Sequence, residues 1–198
     1  MSQPLGDAVG NALDVAEAVE LLAGRMRGRL RELAVAFAAR ALAATDDRPL
    51  ADLTAAAERA IDDGSALERF GMMIERQGGD RRVVDDPWAV LPRAPVVRPL
   101  LADRPGVLVA VDAEAIGLAS GSLGAGRLRK GEPIDPAVGI VLHAKIGDRI
   151  AVGQPIGEVH ARDGADADEA TRRVLAALST GEDAGPPPLV HGWFGEGA

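Results

Sequence analysis

The chain has 198 residues, 47% apolar and only 3% aromatic, with no Tyr. That suffices for one full domain or two small ones, with a core of Ala, Leu, Val and Ile. A net charge of −8 excludes the basic footprint that nucleic acid needs and argues equally against an anionic membrane surface, while the lack of Cys excludes disulfides, thiolate metal sites and a Cys nucleophile.

The first half reads as helices. Asn11, with Asp14 three residues on, is placed to start a helix by a capping box. Val15, Val19 and Leu22 form its apolar face, and Gly24 stops it. A second helix is expected over Leu30 to Ala44, with Leu30, Leu33, Phe37, Ala41 and Leu42 facing a core. Asp46, Asp47 and Pro49 break the chain and restart a third helix, whose buried face is Leu50, Leu53, Ala57 and Ile61. Ser65 with Glu68 reads as the capping box of a fourth, buried along Leu67, Phe70 and Ile74 and closed by Gly78 and Gly79. Prolines at 87, 92, 95, 99 and 105 then exclude helix and mark a domain boundary.

The second half reads mostly as strands. Val96–Leu101 and Gly106–Asp112 are expected strands, Asp112 to Ser122 a short helix, and Gly124-Ala125-Gly126 a tight turn. Ala137–Ala144 has the near-continuous apolar run of a buried strand. Gly147 to Ile156 is a strand–turn–strand step leading to a strand that ends at His160. A last helix is expected over Asp166 to Ser179, then a Pro-rich segment and an extended stretch Leu189–Phe194. No apolar run reaches the ~20 residues of a membrane span and no signal-peptide pattern opens the chain, so a cytoplasmic setting is expected.

No catalytic constellation stands out. There is no Gly-x-Ser-x-Gly and no His-Glu-x-x-His. The Gly147–Ile156 step resembles the barrel-sandwich hairpins of biotinyl and lipoyl carriers, yet neither Lys130 nor Lys145 has a carrier setting, which favours a structural hairpin. Gly121 to Gly126 lacks the preceding strand of a dinucleotide loop and reads as a turn; Arg127, Arg129 and Lys130 beside it can attract an anion. His143, His160 and His191 are the only imidazoles and a poor match to a zinc triad. Asp163, Asp166 and Asp168 read as helix-start acids rather than a calcium loop. Arg25, Arg27, Arg29 and Arg31 cluster at a helix start, where positive charge is unfavourable.

Several strings resemble the pyrimidine-nucleoside (thymidine) phosphorylases. They include Met1 to Gly6, Val9-Gly10-Asn11-Ala12-Leu13-Asp14-Val15, Leu30-Arg31-Glu32-Leu33, and Leu67-Glu68-Arg69-Phe70 with Gln77-Gly78-Gly79-Asp80. Leu123-Gly124-Ala125-Gly126-Arg127, Ile134 to Ile140, and Leu142-His143-Ala144-Lys145 with Gly147-Asp148 follow in family order. The resemblance covers only the family's C-terminal part. Its upstream catalytic groups, a Lys-His-Gly-Asn segment, an Arg and a Ser-x-x-x-Lys, have no counterpart in this sequence, so no catalytic residue is expected. At Arg25–Arg29 the family's Gly-Pro-x-Asp-like helix start is replaced by arginines.

The resemblance implies an α+β chain. Residues 1–90 would be the helical tail of the family's α/β domain, and residues 91–198 its α/β-hammerhead, barrel-sandwich-like C-terminal domain. It implies a pentosyltransferase whose complete form takes phosphate and a pyrimidine nucleoside, with this part as scaffold, one half of a split enzyme or a non-catalytic binding module. It implies no organic cofactor, but a structural monovalent cation, potassium, whose C-terminal ligands are the backbone carbonyls of Leu5 and Ala8 and the carboxylate of Glu17, the remaining ligands lying in the family's upstream part. The family is homodimeric, through contacts that fall largely outside this chain.

Overall fold

The computed structural model describes residues 2–127 and 129–194. In chain order the elements are β1 (Ala8–Val9), α1 (Asn11–Leu22), α2 (Arg29–Ala43), α3 (Leu50–Asp62), α4 (Ser65–Arg76), a 3-10 turn (Arg81–Val84) and α5 (Pro87–Val90). Then come β2 (Val96–Leu101), β3 (Gly106–Val111), α6 (Ala113–Ser120) with a π-turn (Gly121–Ala125), β4 (Gly139–Leu142), β5 (Arg149–Ile150), β6 (Pro155–Ala161), α7 (Gly164–Ala176) and β7 (Leu178–Gly181). The class is α+β. The described residues form two compact units, 2–17 with 88–127 and 129–187, and 18–87 with 188–194.

The first unit holds two antiparallel sheets, in strand orders β1-β4-β6-β2 and β5-β3-β7. Its core joins strand residues Leu100, Leu108, Ile140, Leu142, Ile156 and Val159 to Ile116 and Ala119 of α6 and Ala167, Ala170 and Val174 of α7, all essentially inaccessible to water. Asp112 caps α6 by accepting from the Ala115 amide at 3.0 Å, and Asp163 caps α7 by accepting from the Asp166 amide at 2.9 Å. The central strands approach closely because Gly157 has no side chain: a Cβ there would stand 2.1 Å from the Val141 carbonyl oxygen.

The second unit is helical. Leu21, Val35, Ala57 and Ile61 are its buried cluster, with Leu22, Met26, Leu30, Ala34 and Ala66 packed around it. Several expected features differ. The buried stripe of α2 is Arg31, Val35 and Ala39, whereas Phe37 and Leu42 are exposed. On the same row Arg31 Nη2 donates to Asp62 Oδ1 of α3 at 2.8 Å, and Val35 joins Ala57 and Ile61 of α3 in the buried cluster. Phe37 instead meets the Trp193 ring edge-on at 5.3 Å.

The capping box expected at Ser65 and Glu68 is also absent. Gly64 is the N-cap of α4, Asp63 Oδ1 accepts from the Ser65 amide at 2.9 Å, and the Glu68 carboxylate binds Arg81 at 2.5 Å. At the start of α1, Asn11 is already helical and its Nδ2 donates to the Ala125 carbonyl at 2.8 Å, while Asp14 Oδ1 accepts from the Gly10 amide at 3.4 Å. In the first unit, the last helix stops at Ala176 because Leu178–Gly181 pairs with β3 as a strand. The stretch 189–194 forms no strand among the described residues.

Gly157→Ala is expected to cost about 2–4 kcal/mol, because the strand pair must part to admit a methyl group. Urea unfolding measures this; a loss below ~0.5 kcal/mol, typical of a neutral surface change, contradicts the close approach.

Candidate functional site

The charged groups converge on the edge strand β1 and the loop that leads into it. Ala8 pairs with Val141 and Val9 with Ile140, while the Leu142 amide donates to the Asp7 carbonyl at 2.8 Å. In an antiparallel ladder this alternation turns the main-chain groups of Ala8 away from β4. Glu17, less than two turns into α1, meets them. Its Oε1 accepts from the Asp7 amide at 2.5 Å and the Ala8 amide at 3.4 Å. Gly6 lies against the same carboxylate, where a Cβ would stand 2.1 Å from Oε2.

A second charge holds the other side of the loop. Lys145 Nζ donates to the carbonyls of Gly6 at 2.8 Å and Leu142 at 2.9 Å, and lies 3.0 Å from Asp7 Oδ1. The other Asp7 oxygen is 3.1 Å from His143 Nδ1. Gln3, buried, accepts from the Ile146 amide at 2.8 Å and pins the chain start to the segment after β4. The pKa of Glu17 is raised above the ordinary glutamate value. Burial is the main cause; the two amides and Lys145 oppose it, and Asp7 adds to it.

Of the expected cation ligands, Ala8 and Glu17 are thus brought together, and Leu5 lies on the exposed turn just before Gly6. Asp7 and Gln3 do not stand out in the sequence, and His143 and Lys145 do so only as a poor metal ligand and a poor carrier lysine. The one available signal was the string Leu142 to Lys145, since a lysine three residues after an apolar strand end can reach back to that strand's last carbonyl.

The other candidates serve local structure. His160 Nε2 lies 2.9 Å from Glu158 Oε1. Asp166 pairs with Arg162, and Asp168 with Arg98. Ser120 Oγ, at the end of α6, donates to the Val9 carbonyl at 2.6 Å, so the glycine-rich turn after it buttresses β1. Arg127 Nε donates to the Glu132 carbonyl at 3.1 Å. Among the described residues no group of three or more His, Asp and Glu is placed to hold a metal ion, and no helix is long and apolar enough to cross a membrane.

Comparison with known proteins gives this loop a family. Residues 107–181 match the pyrimidine nucleoside phosphorylase C-terminal domain. Over 197 residues the chain is 40% identical to a thymidine phosphorylase of Burkholderia lata, covering 98% of the chain and 45% of that protein. Over nearly its whole length the chain is similar to the C-terminal part of these phosphorylases. Pyrimidine-nucleoside phosphorylases of Staphylococcus aureus and Bacillus subtilis are 37% and 38% identical, each over 96% of this chain and 44% of their own length. The chain therefore spans a little under half the length of these phosphorylase relatives.

Two outcomes test the loop. Gly6→Ala drives a methyl group into the Glu17 carboxylate, and it is expected to lower the thermal midpoint by several degrees, on the order of 1–3 kcal/mol, by differential scanning calorimetry. An unchanged midpoint contradicts the packing of Gly6 on Glu17. The second concerns pH. A carboxyl whose folded pKa is raised binds its proton more tightly in the native state, so its contribution to stability falls as pH climbs from the ordinary glutamate value through the raised one. Glu17→Gln keeps an oxygen acceptor but cannot ionise, so its stability relative to the native chain is expected to improve between pH 4 and pH 7. A constant difference across that range contradicts the assignment.

Proposed function

We propose that this chain is the C-terminal region of a thymidine or pyrimidine-nucleoside phosphorylase, an enzyme that converts nucleoside and phosphate to free base and pentose 1-phosphate. The supporting observation is the 40% identity maintained over 98% of the chain. Residues 1–90 are read as the end of the family's larger α/β domain and residues 91–198 as its hammerhead-like C-terminal domain, working in the cytoplasm within a homodimer whose contacts lie mostly elsewhere. The role of this part is architectural. Phosphorolysis needs positive charge on the phosphate and a group gripping the base, and the family strings that carry them have no counterpart in this sequence.

The cation belongs to this reading. The proposed donors, the carbonyls of Leu5 and Ala8 and the carboxylate of Glu17, are hard oxygens suited to a monovalent ion. Among the described residues Glu17 Oε2 has no hydrogen-bond donor, and Ala8 turns its carbonyl off the β4 side of the strand. A bound ion supplies positive charge that favours ionised Glu17, offsetting the burial that raises its pKa. Potassium is then expected to raise the thermal midpoint more than sodium at equal ionic strength, and Glu17→Gln to abolish the difference. Identical midpoints in the two salts for the native chain refute the site.

A second reading is favoured by one feature of the helical unit. A groove of about 510 Å3 is lined wholly by apolar residues, among them Leu21, Leu22, Val35, Leu42 and Ile61. A split phosphorylase would cover this face with the family's N-terminal half as a separate polypeptide. The purified chain is expected to release no thymine from thymidine and phosphate, and to gain activity when mixed with such a half. Phosphate-dependent thymine release by the chain alone overturns the scaffold role; a mixture that neither associates nor reacts overturns the split-enzyme reading.

A further inference from the structure

A cavity of about 510 Å3 runs along α2 in the helical unit, from the helix N-terminal end to Arg40, and its wall includes Arg27, Arg31, Arg40, Thr54, Glu58 and Trp193. The helix has 15 residues and begins after Gly28 without a side-chain cap. Its first amides therefore lack intrahelical partners and carry the positive end of the helix dipole.

A second observation is independent of the helix end. Arg31 is only 8% exposed, yet its guanidinium is half used. Nη2 donates to Asp62 Oδ1 at 2.8 Å, while Nη1 is buried with no hydrogen-bond partner among the described residues. A buried charged donor left unpaired is costly and calls for an acceptor. Arg27 adds exposed positive charge, and the Arg40 guanidinium lies 3.8 Å from the Trp193 ring centre, placing a flat aromatic wall in the same cavity. Two acids, Glu32 and Glu58, also border it. They repel a bare anion but accept well from hydroxyl groups, and the Thr54 hydroxyl, which donates to the Leu50 carbonyl at 2.9 Å, can also accept. The volume is that of a small-molecule pocket and much larger than one phosphate ion.

We propose that this cavity binds a phosphate monoester of a hydroxylated molecule, such as a sugar phosphate. The phosphate oxygens accept from the α2 amides, Arg27 and Arg31, the mode in which helix ends and arginine forks hold phosphate. The body of the ligand lies along Trp193, its hydroxyls donating to Glu32 and Glu58. The chain's net charge of −8 works against non-specific uptake of anions, so measurable phosphate binding must come from a built site.

The test is isothermal titration of the full chain with ribose 5-phosphate, inorganic phosphate and ribose at matched ionic strength, with amide chemical shifts of residues 29–32 followed in parallel. Ribose 5-phosphate is expected to bind tightest, inorganic phosphate more weakly and ribose not at all, with the shifts moving on phosphate addition. Arg31→Gln is expected to lower affinity roughly ten- to hundred-fold, the worth of a charge-assisted hydrogen bond. Asp62→Asn, which leaves the arginine and frees it, should retain or tighten binding. Should Arg31→Gln not fold, the exposed Arg27→Ala still decides, with an expected loss of several-fold. Binding that survives both arginine substitutions, or shifts absent from residues 29–32, overturns the site. Equal affinity for phosphate and its ribose ester overturns the monoester assignment.

Discussion

The open edge of the first sheet depends on a short backbone segment held between two opposite charges. Glu17 accepts the amides of Asp7 and Ala8 on one side, and Lys145 donates to the carbonyls of Gly6 and Leu142 on the other. A two-residue strand cannot hold itself in place by its own ladder. The charges supply what the ladder lacks, because each meets the end of the peptide dipole that suits it. Asp7 completes the pattern by placing its carboxylate between Lys145 and His143. Gly6 is required because the carboxylate fills the space a side chain would need. The cost falls on Glu17, whose burial disfavours its charged form. That is the physical basis for reading a cation into this loop.

The helical unit is organised by one buried arginine in a comparable way. Arg31, tied to Asp62, lies on the row of α2 that faces α3, while Phe37 is exposed and meets Trp193. The same arrangement leaves one guanidinium nitrogen unsatisfied beside an uncapped helix end. It also leaves an alanine-rich apolar groove along α2 and α3. The groove and the cavity differ in chemistry, one offering only apolar contact and the other a set of donors and acceptors. They are therefore suited to different occupants, a protein face and a small polar molecule.

Much of the fold was legible in the residue pattern. Glycine and proline punctuation located α3 and α4 to within about two residues, and runs rich in valine and leucine located β2 and β3. The misreadings share a cause. At Ser65 a good capping residue lost to Gly64, because Asp63 already satisfied the nearby amide and Arg81 claimed Glu68. On α2 the row facing α3 carries Arg31, paired with Asp62, beside Val35 and Ala39, while Phe37 and Leu42 stay exposed. Ser179 was read as helical, but its backbone is paired with β3. In each case a partner remote in sequence outweighed a local preference.

The amino-acid order by itself determined the α+β class of the protein, the helices and most strands, and the family that it resembles. These rest on periodicity, turn chemistry and ordered motifs, all carried by neighbours in the chain. Only the tertiary structure decided that residues 8–9 pair with 140–141, that Glu17, Asp7 and Lys145 share one loop, and that Arg31 is buried with a free donor. Those contacts join residues separated by up to about 140 positions. Charge and hydrogen-bond complementarity across such distances leave no periodic trace in the sequence, so they become visible only when the folded chain brings the groups together.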